Sequence, residues 1–242
     1  MHRLTPPGDF KVRKLLLTVA AIVVIGLSLF VWWQAPLSLP ALIKETQPSV
    51  VTISVLKANG NITALGTGFF VSKDGDIITN RYVIDGASRI RIKTRDGRTY
   101  RVNRVISVDK HSDLACVRAN IPTQYVRPLQ IEASLPEVGE RVVVLGNPKG
   151  LERTASDGIV SAVRHAPGFG RVVQITAPIS PGSSGSPVIN GRGRVIGVVA
   201  FLMEGQNLNF SISGERVERL VHGTKNGTNR RKPSASSKGM GR

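Results

Sequence analysis

The stretch from Thr176 to Val188, with the sequence TAPISPGSSGSPV, holds the residues best suited to chemistry. Ser184 lies in it between Gly182 and Gly185. Because glycine has no Cβ, the backbone beside this serine can turn sharply and approach a bound carbonyl group. The amide N–H groups of Gly182 and Ser184 could then hold a developing oxyanion while the Ser184 hydroxyl attacks the carbonyl carbon. The stretch favours acyl transfer, although Gly-x-Ser-Gly alone also fits a plain turn between strands.

The residues after Ser184 predict a rigid support for it, consisting of a strand, an Asn190-Gly191 turn and a second strand up to Phe201. From Ser49 onward, short apolar runs alternate with turn residues such as Asp74-Gly75 and Asp96-Gly97. We predict strands at residues 50–56, 67–72, 89–93, 99–108, 141–145, 158–163, 172–176, 195–199 and 208–212. Many short strands with little helix indicate an all-β barrel or sandwich.

Composition excludes several kinds of site. The single cysteine, Cys116, rules out an internal disulfide and lies in an apolar run typical of a buried thiol. Four scattered histidines and one cysteine have no metal-ligand spacing, so we predict no metal and no cofactor.

The net charge of +17 is unevenly distributed. The first fourteen residues are basic, the middle of the chain is moderately basic, and its end is strongly basic. Residues 15–33 form an uncharged apolar run long enough to cross about 30 Å of hydrocarbon as a helix. The basic residues before this run predict that residues 1–14 are cytoplasmic and that the body is periplasmic or otherwise extracytoplasmic. We therefore predict an anchor in the inner membrane, against the alternatives of a cleaved signal peptide and a buried core helix.

The segments around this body are assigned from composition. Residues 34–48 contain three prolines and are predicted to be a linker. A short helix is predicted at residues 214–221. Residues 223–242, rich in Gly, Ser, Asn and basic side chains, are predicted to be a disordered basic tail.

Several segments, in order and with matching spacing, closely resemble the HtrA (Deg) family of trypsin-like serine proteases. The segments are 66–75, 78–80, 83–87, 112–115, 144–148, 158–161, 177–182 and 207–212. The resemblance implies a protease domain at about residues 49–222, with two six-stranded antiparallel β-barrels at about 49–135 and 136–213 and an active site between them. Members of the family usually add a peptide-binding PDZ domain, for which the chain has no length after the protease, so we expect a single protease domain.

The resemblance also implies the roles of individual residues. Ser184 matches the nucleophile, Asp113 the aspartate that orients the base, and Gly182 and Ser184 the oxyanion donors. Tyr82 occupies the position of the catalytic histidine. A phenol with a pKa near 10 stays protonated at neutral pH, and its one oxygen cannot bridge Asp113 and Ser184 as the two nitrogens of imidazole do. We therefore expect impaired catalysis.

The other histidines are predicted to be solvated and not to replace the base. His111 lies two residues before Asp113, His165 falls in a loop, and His2 and His222 are near the termini. An engineered or erroneous Tyr82 is a further alternative.

The resemblance also predicts where a substrate would bind. Ile179, Val199, Ala200 and Phe201 would wall an uncharged pocket for a small apolar side chain of an unfolded polypeptide. Backbone between Val199 and Leu202 could pair with an extended peptide by strand addition.

Three functions stay open from the sequence. The first is a membrane-anchored HtrA-like protein that is catalytically impaired at Tyr82 and binds polypeptides. The second is a working serine endopeptidase that uses an unrecognised base. The third is a scaffold that binds peptides or anionic polymers, with nucleic acid the least favoured ligand. The oligomeric state, including a homo-oligomer, is left open.

Overall fold

The protein is described by a computed structural model that covers residues 8–34, 37–147 and 154–228. The chain divides into two compact units, Met1–Leu37 and Ser38–Arg242. The first unit contains helix α1, Gly8–Gln34. Over the residues described, no helix is both long enough and apolar enough to cross a membrane. The anchor at residues 15–33 stays a prediction, and residues 1–7 and 229–242 lie outside the described part.

The second unit is built mainly from short strands whose apolar residues alternate with polar ones. The strands of the described residues are β1 Val50–Leu56, β2 Ile62–Phe70, β3 Asp76–Asn80, β4 Arg89–Lys93, β5 Thr99–Asp109, β6 Leu114–Ala119, β7 Arg141–Gly146, β8 Thr154–Ala166, β9 Gly170–Ile175, β10 Pro187–Asn190, β11 Val195–Leu202 and β12 Asn209–Ser213. The helices of this unit are α2 Leu39–Thr46, α3 Arg81–Ile84 and α4 Gly214–Thr228.

These strands close into two six-stranded antiparallel barrels. The first has the order β1-β2-β3-β6-β5-β4 and the second β10-β11-β12-β9-β8-β7. The prediction of an all-β fold with two such barrels is confirmed. Closure gives each strand a neighbour on both sides over at least part of its length, which protects short strands that would be marginal in an open sheet.

Three apolar clusters hold the barrels together. One fills the first barrel around Ile53 and Ile92, and another fills the second barrel around Val144 and Ile175. The third contains residues of both barrels, including Phe69 and Leu145, and therefore joins them. Burial of apolar surface stabilises by about 25 cal/mol per Å², so this shared cluster fixes the two barrels against each other.

The predicted linker at residues 34–48 is wrong for its second half. Residues Leu39–Thr46 form α2, with Pro40 in the first turn, where the backbone N–H that proline lacks would have no partner within the helix. Leu42 is only 3% exposed and packs into the shared cluster. The proline content suggested a tether, but the apolar face of this helix packs against the barrels.

The C-terminal helix is longer than predicted. It continues past Val221 to Thr228, so the first six residues assigned to a disordered tail, 223–228, are helical. Val217 and Leu220 bury the inner face of α4 against the barrels. Glycine costs about 1 kcal/mol in a helix but does not forbid it, and the next proline is Pro233.

The strands β3 and β6 were not predicted, and the other strand predictions differ from the structure mainly at strand ends. β2 begins at Ile62 and β8 extends from Thr154 to Ala166. The hairpin after Ser184 is present, but its turn is closed by the Gly193 N–H donating to the Asn190 carbonyl over 3.0 Å. Positive φ falls at Gly193, at 78°, so the predicted Asn-Gly turn is displaced along the chain.

Cys116 on β6 is the free cysteine, and it is 2% exposed. Burial raises the pKa of its thiol to about 12, so at about pH 8 only about one thiol in ten thousand is ionised. We expect alkylation by iodoacetamide to be at least a hundredfold slower in the native chain than in the chain unfolded in urea. Alkylation at equal rates, followed by mass spectrometry, would contradict a core position for this thiol.

Candidate active site

The loop before Ser184 is a tight turn set by its proline and glycine. The Ser183 N–H donates to the Ser180 carbonyl over 2.9 Å, and Gly182 has φ of 95°. Proline at the second position and a positive φ at the third identify a type II turn. Sequence reasoning explained Gly182 by its missing Cβ and assigned its N–H as an oxyanion donor, but it did not identify the turn type, which the Pro181-Gly182 pair specifies.

The turn leaves two amides of the predicted oxyanion hole without a partner. Within the described ranges, the N–H groups of Gly182 and Ser184 donate no hydrogen bond. Both are therefore free to donate to an incoming oxygen, as the sequence analysis expects of them.

Thr67 of β2 holds the nucleophile loop against the first barrel. Its N–H donates to the Ser184 carbonyl over 2.9 Å, and its hydroxyl donates to the Gly182 carbonyl over 2.9 Å. The same hydroxyl accepts from the Asn147 N–H over 3.1 Å. Thr67 is fully buried, and sequence reasoning missed it; the only signal was a polar residue between two glycines in a strand.

Gly185 allows this close approach. Its φ is 84°, and its N–H donates to the Val199 carbonyl over 3.0 Å. A Cβ at this position would lie 2.0 Å from the Thr67 carbonyl oxygen. The glycine after the serine is thus required both by the backbone conformation and by the space available.

Tyr82 supplies the side chain that contacts the candidate nucleophile. It lies on the short helix α3, directly after β3, and is 49% exposed. Its phenol oxygen lies within hydrogen-bonding reach of the Ser184 hydroxyl oxygen. The structure therefore brings Tyr82 and Ser184 together across the cleft, at the place where the resemblance puts the base and the nucleophile.

Asp113 lies beside Tyr82 but does not contact its phenol. One carboxylate oxygen accepts the Tyr82 backbone N–H over 3.1 Å and also lies 3.3 Å from Nε of Arg81. The backbone of Asp113 has φ of 52°, a left-handed conformation that aspartate tolerates better than most residues. Sequence reasoning missed Arg81, which takes the place beside the acid that an imidazole would fill.

Burial is the main influence on the pKa of the Asp113 carboxyl group. Burial raises the pKa of this carboxyl, while the hydrogen bond from the Tyr82 N–H and the charge of Arg81 act in the opposite direction without cancelling it. Arg81 divides its interactions, because its Nη1 also donates to Asp85 over 2.8 Å. The acid is therefore held in place, but none of its contacts leads to Ser184.

The described histidines make no hydrogen bond to Ser184. The N–H of His111 donates to Asp109, His165 is exposed on β8, and His222 lies 3.4 Å from Glu218. His2 lies outside the described residues. Among described residues, moreover, no group of three or more potential metal ligands comes together.

The four predicted substrate-binding residues divide into two groups. Ile179 and Val199 pack in the apolar cluster of the second barrel. Ala200 is 9% exposed and belongs to the shared cluster, and the ring of Phe201 stacks on Phe210 with centroids 5.0 Å apart. Phe201 is thus occupied by an aromatic cluster and does not join Ile179 and Val199.

The edge of β11 beyond the nucleophile hairpin is open on one side. β10 pairs with β11 only up to Val198, while β12 pairs with it as far as Leu202. The backbone of residues 200–202 therefore has no partner strand on the β10 side within the described part of the chain. An extended peptide can pair with such an edge.

A family model described as a trypsin-like peptidase domain matches residues 66–198, more than half of the chain. The chain belongs to this family of trypsin-like peptidases. The match spans β2 to β11 and so includes the Tyr82, Asp113 and Ser184 positions.

Relatives and a solved structure agree with this assignment. The trypsin-like peptidase domain is 35% identical over 167 residues to HhoB of Synechocystis sp., covering 64% of this chain and 39% of that protein. It is 34% identical over 174 residues to Protease Do-like 1, chloroplastic, of Arabidopsis thaliana, covering 65% of this chain and 39% of that protein. The chain thus spans about two fifths of the length of these relatives, and it resembles HtrA proteases as predicted.

A crystal structure of the serine endoprotease from Yersinia pestis superposes with a TM-score of 0.70 at 26% sequence identity. The superposition covers 80% of this chain and 69% of that one. The trypsin-like peptidase fold predicted from sequence is therefore confirmed by structural comparison as well as by strand order.

A trypsin-like peptidase hydrolyses a peptide bond only if a base accepts the serine proton in the transition state. Here the oxyanion donors, the serine and the acid have the expected arrangement, but the group at the serine is a phenol. A phenol is a weaker proton acceptor than a neutral imidazole at neutral pH.

Asparagine in place of Asp113 is expected to raise the stability of this trypsin-like peptidase domain at neutral pH, by up to about 1 kcal/mol. Because burial raises the folded-state pKa, this carboxyl favours folding most when protonated, and that contribution is lost as pH rises through the folded-state pKa. Asparagine is neutral throughout and can accept the same two hydrogen bonds.

Urea unfolding followed by far-ultraviolet circular dichroism tests this expectation at neutral pH and at about pH 3, where the gain disappears. A loss of stability at neutral pH would show instead that pairing with Arg81 outweighs the cost of burial.

Proposed function

We propose that this chain is a membrane-anchored, extracytoplasmic homologue of HtrA-like serine endopeptidases that binds unfolded polypeptides and is impaired in cleaving them. One observation carries the proposal: the side chain in contact with the Ser184 hydroxyl is the phenol of Tyr82. A phenol has much less tendency than a neutral imidazole to accept a proton from serine at neutral pH. General-base assistance contributes about 10² to 10⁴ in rate, and this is the contribution that the site lacks.

Peptide binding is supported by parts of the cleft that do not depend on the base. The free N–H groups of Gly182 and Ser184 can hold a carbonyl oxygen, and the open edge at residues 200–202 can pair with an extended backbone. Ile179, five residues before Ser184, is only half-buried against the core of the second barrel and offers uncharged surface. An extended segment with a small apolar side chain fits these features, and folded proteins rarely expose such a segment.

A fluorophosphonate probe tests the impairment directly, since it phosphonylates serines that a base activates. We expect labelling of the full chain to be no faster than labelling of a Ser184→Ala control, and denatured casein to stay intact. Rapid labelling of Ser184 together with casein cleavage that Ser184→Ala abolishes would overturn the proposal. That outcome would favour a working endopeptidase with another base.

The anchor is proposed from the charge-free run at residues 15–33 and the basic residues before it. Helix α1 includes this run. In membranes of cells that express the chain, the full protein should resist extraction by alkaline carbonate, and a variant lacking residues 1–36 should be released. Extraction of the full chain by carbonate would contradict an anchor, with no bearing on the impaired site.

A further inference from the structure

Residues 89–101 carry an unusual concentration of positive charge in the first barrel. They comprise β4, the turn after it and the start of β5. This segment, called the basic hairpin below, holds six basic residues and one acid, Asp96. We infer that the basic hairpin is a docking surface for the anionic headgroups of a lipid bilayer. The inference rests on the proposed function in one respect, because the proposed anchor is what brings the chain to a membrane. The positive charge belongs to the hairpin and does not depend on the anchor.

The geometry of the two strands puts the charges on one face. Ile90 and Ile92 pack with the core of the first barrel, so the alternating Arg89 and Arg91 side chains are exposed. Arg91 lies directly opposite Arg101 in the antiparallel pair. Successive outward residues on a strand are about 7 Å apart and opposite residues about 5 Å, which gives a flat array of guanidinium groups.

The array lacks neutralising partners. Arg91, Arg95 and Arg101 form no ion pair with any described residue, and Asp96 is taken up by Arg98. Like charges directly opposite each other on a sheet destabilise it. The repulsion between two such arginines is relieved most by a ligand that presents many negative charges in one plane.

The chemistry of this face fits lipid better than nucleic acid. Single-stranded nucleic acids bind through aromatic side chains on which bases stack, but the aromatic residue of the two strands, Tyr100, packs inward with the core of the first barrel. A free two-stranded ribbon can enter the major groove of a duplex, but β4 and β5 each pair with a further barrel strand, β1 and β6. Headgroups, in contrast, need only positive charge near the surface.

The hairpin lies where the chain enters the first barrel. Pro48 lines the same cavity as Arg95 and Asp96 of the hairpin turn. The predicted anchor ends fifteen residues before Pro48 in the sequence. Fifteen residues, 34–48, therefore separate a bilayer that holds the predicted anchor from the first barrel.

Arginine modification in nanodiscs tests this inference with the full chain. The chain is placed in nanodiscs of phosphatidylcholine alone or of phosphatidylcholine with phosphatidylglycerol, treated with phenylglyoxal and analysed by mass spectrometry. We expect Arg91 and Arg101 to react about fivefold more slowly in the anionic nanodiscs. The difference should vanish in about 1 M salt, where the Debye length falls to about 3 Å.

Two exposed arginines serve as internal controls, because each already pairs with an acid: Arg141 with Asp157 and Arg219 with Glu215. Their rates should be the same in both nanodiscs. The variant Arg91→Ser/Arg101→Ser should lose the protection of the neighbouring Arg89 and Arg95. The variant Arg141→Ser/Arg219→Ser, with the same change of net charge, should keep it.

Equal modification rates of Arg91 and Arg101 in the two nanodiscs would overturn the inference and leave the anchor standing. If the chain does not insert into nanodiscs, the proposed anchor is wrong. The hairpin is then tested by flotation of the chain with lipid vesicles instead. Flotation with anionic but not neutral vesicles would then support the hairpin, and flotation with neither would refute it. Stronger protection by duplex DNA than by anionic vesicles would also refute it, in favour of a nucleic acid partner.

Discussion

Replacement of Tyr82 by histidine is expected to raise the rate at which the chain cleaves denatured casein by about 10² to 10⁴. Imidazole has a pKa near neutrality, so one nitrogen can accept the Ser184 proton while the other donates to a carboxylate. The remaining parts of the machinery are present: free oxyanion amides at Gly182 and Ser184, and a fixed Asp113. The gain should appear in kcat, because binding of the polypeptide does not depend on the base.

Arg81 is expected to limit this gain. Its Nε lies 3.3 Å from the Asp113 oxygen that a histidine at position 82 would need as an acceptor. The double variant Tyr82→His/Arg81→Ala should therefore exceed Tyr82→His alone, by about tenfold, because the carboxylate is then free to orient the ring.

Two controls separate a restored base from other effects of the substitution. Tyr82→Phe removes the phenol hydroxyl without adding a base and should stay inactive. Tyr82→His/Ser184→Ala should be inactive as well, which assigns any gained cleavage to this serine. If Tyr82→His cleaves no faster than the unmodified chain although fluorophosphonate labels its Ser184, the phenol is not what limits this site.

Alanine at Gly185 is expected to cost about 3 to 5 kcal/mol of unfolding free energy, the largest loss that we predict for a single methyl group in this protein. The backbone there has φ of 84°, and a left-handed conformation costs an L-residue about 1 to 2 kcal/mol. The new Cβ would also lie 2.0 Å from the Thr67 carbonyl oxygen and 2.5 Å from the Thr79 hydroxyl. Both neighbours belong to the first barrel. The strain must therefore displace the nucleophile loop or break its contact with that barrel.

Gly97 offers a matched control for this substitution. Its φ is 83°, nearly the same, but a Cβ there would meet nothing within 4 Å. Gly97→Ala should therefore show only the conformational cost of about 1 to 2 kcal/mol. Thermal unfolding of both variants and the parent measures the difference, and equal losses for the two variants would contradict a steric role for Gly185.

Strands were more predictable than the segments at the ends of the domain. β4 carries strict alternation of basic residues and isoleucine, and both its bounds were predicted, because a period of two residues is a local property of the chain. The α2 helix was predicted as a linker, since Leu42 reveals its role only when the barrels present an apolar surface to it. Residues 223–228 of α4 were predicted as a disordered tail from their composition, which includes glycine.

The candidate site shows the same division. Ser184, Asp113 and Tyr82 could be named from residue types and from resemblance, and the structure brings all three to one cleft. Thr67 and Arg81 could not be named, because their importance lies in hydrogen bonds and ion pairs to residues far away in the sequence. Phe201 was assigned to the substrate pocket, whereas its ring stacks on Phe210 and Phe169.

The amino-acid sequence by itself determined which chemical groups this protein can bring to a substrate: a serine between glycines, an acid, and a tyrosine where related peptidases have their base. It also determined the alternation that makes strands. Only the tertiary structure decided what each group touches, including the phenol at the serine, the arginine at the acid and the threonine that fixes the loop. Local pattern sets which groups a strand or turn presents, but contacts across two barrels depend on closure and packing, which no short stretch of chain encodes.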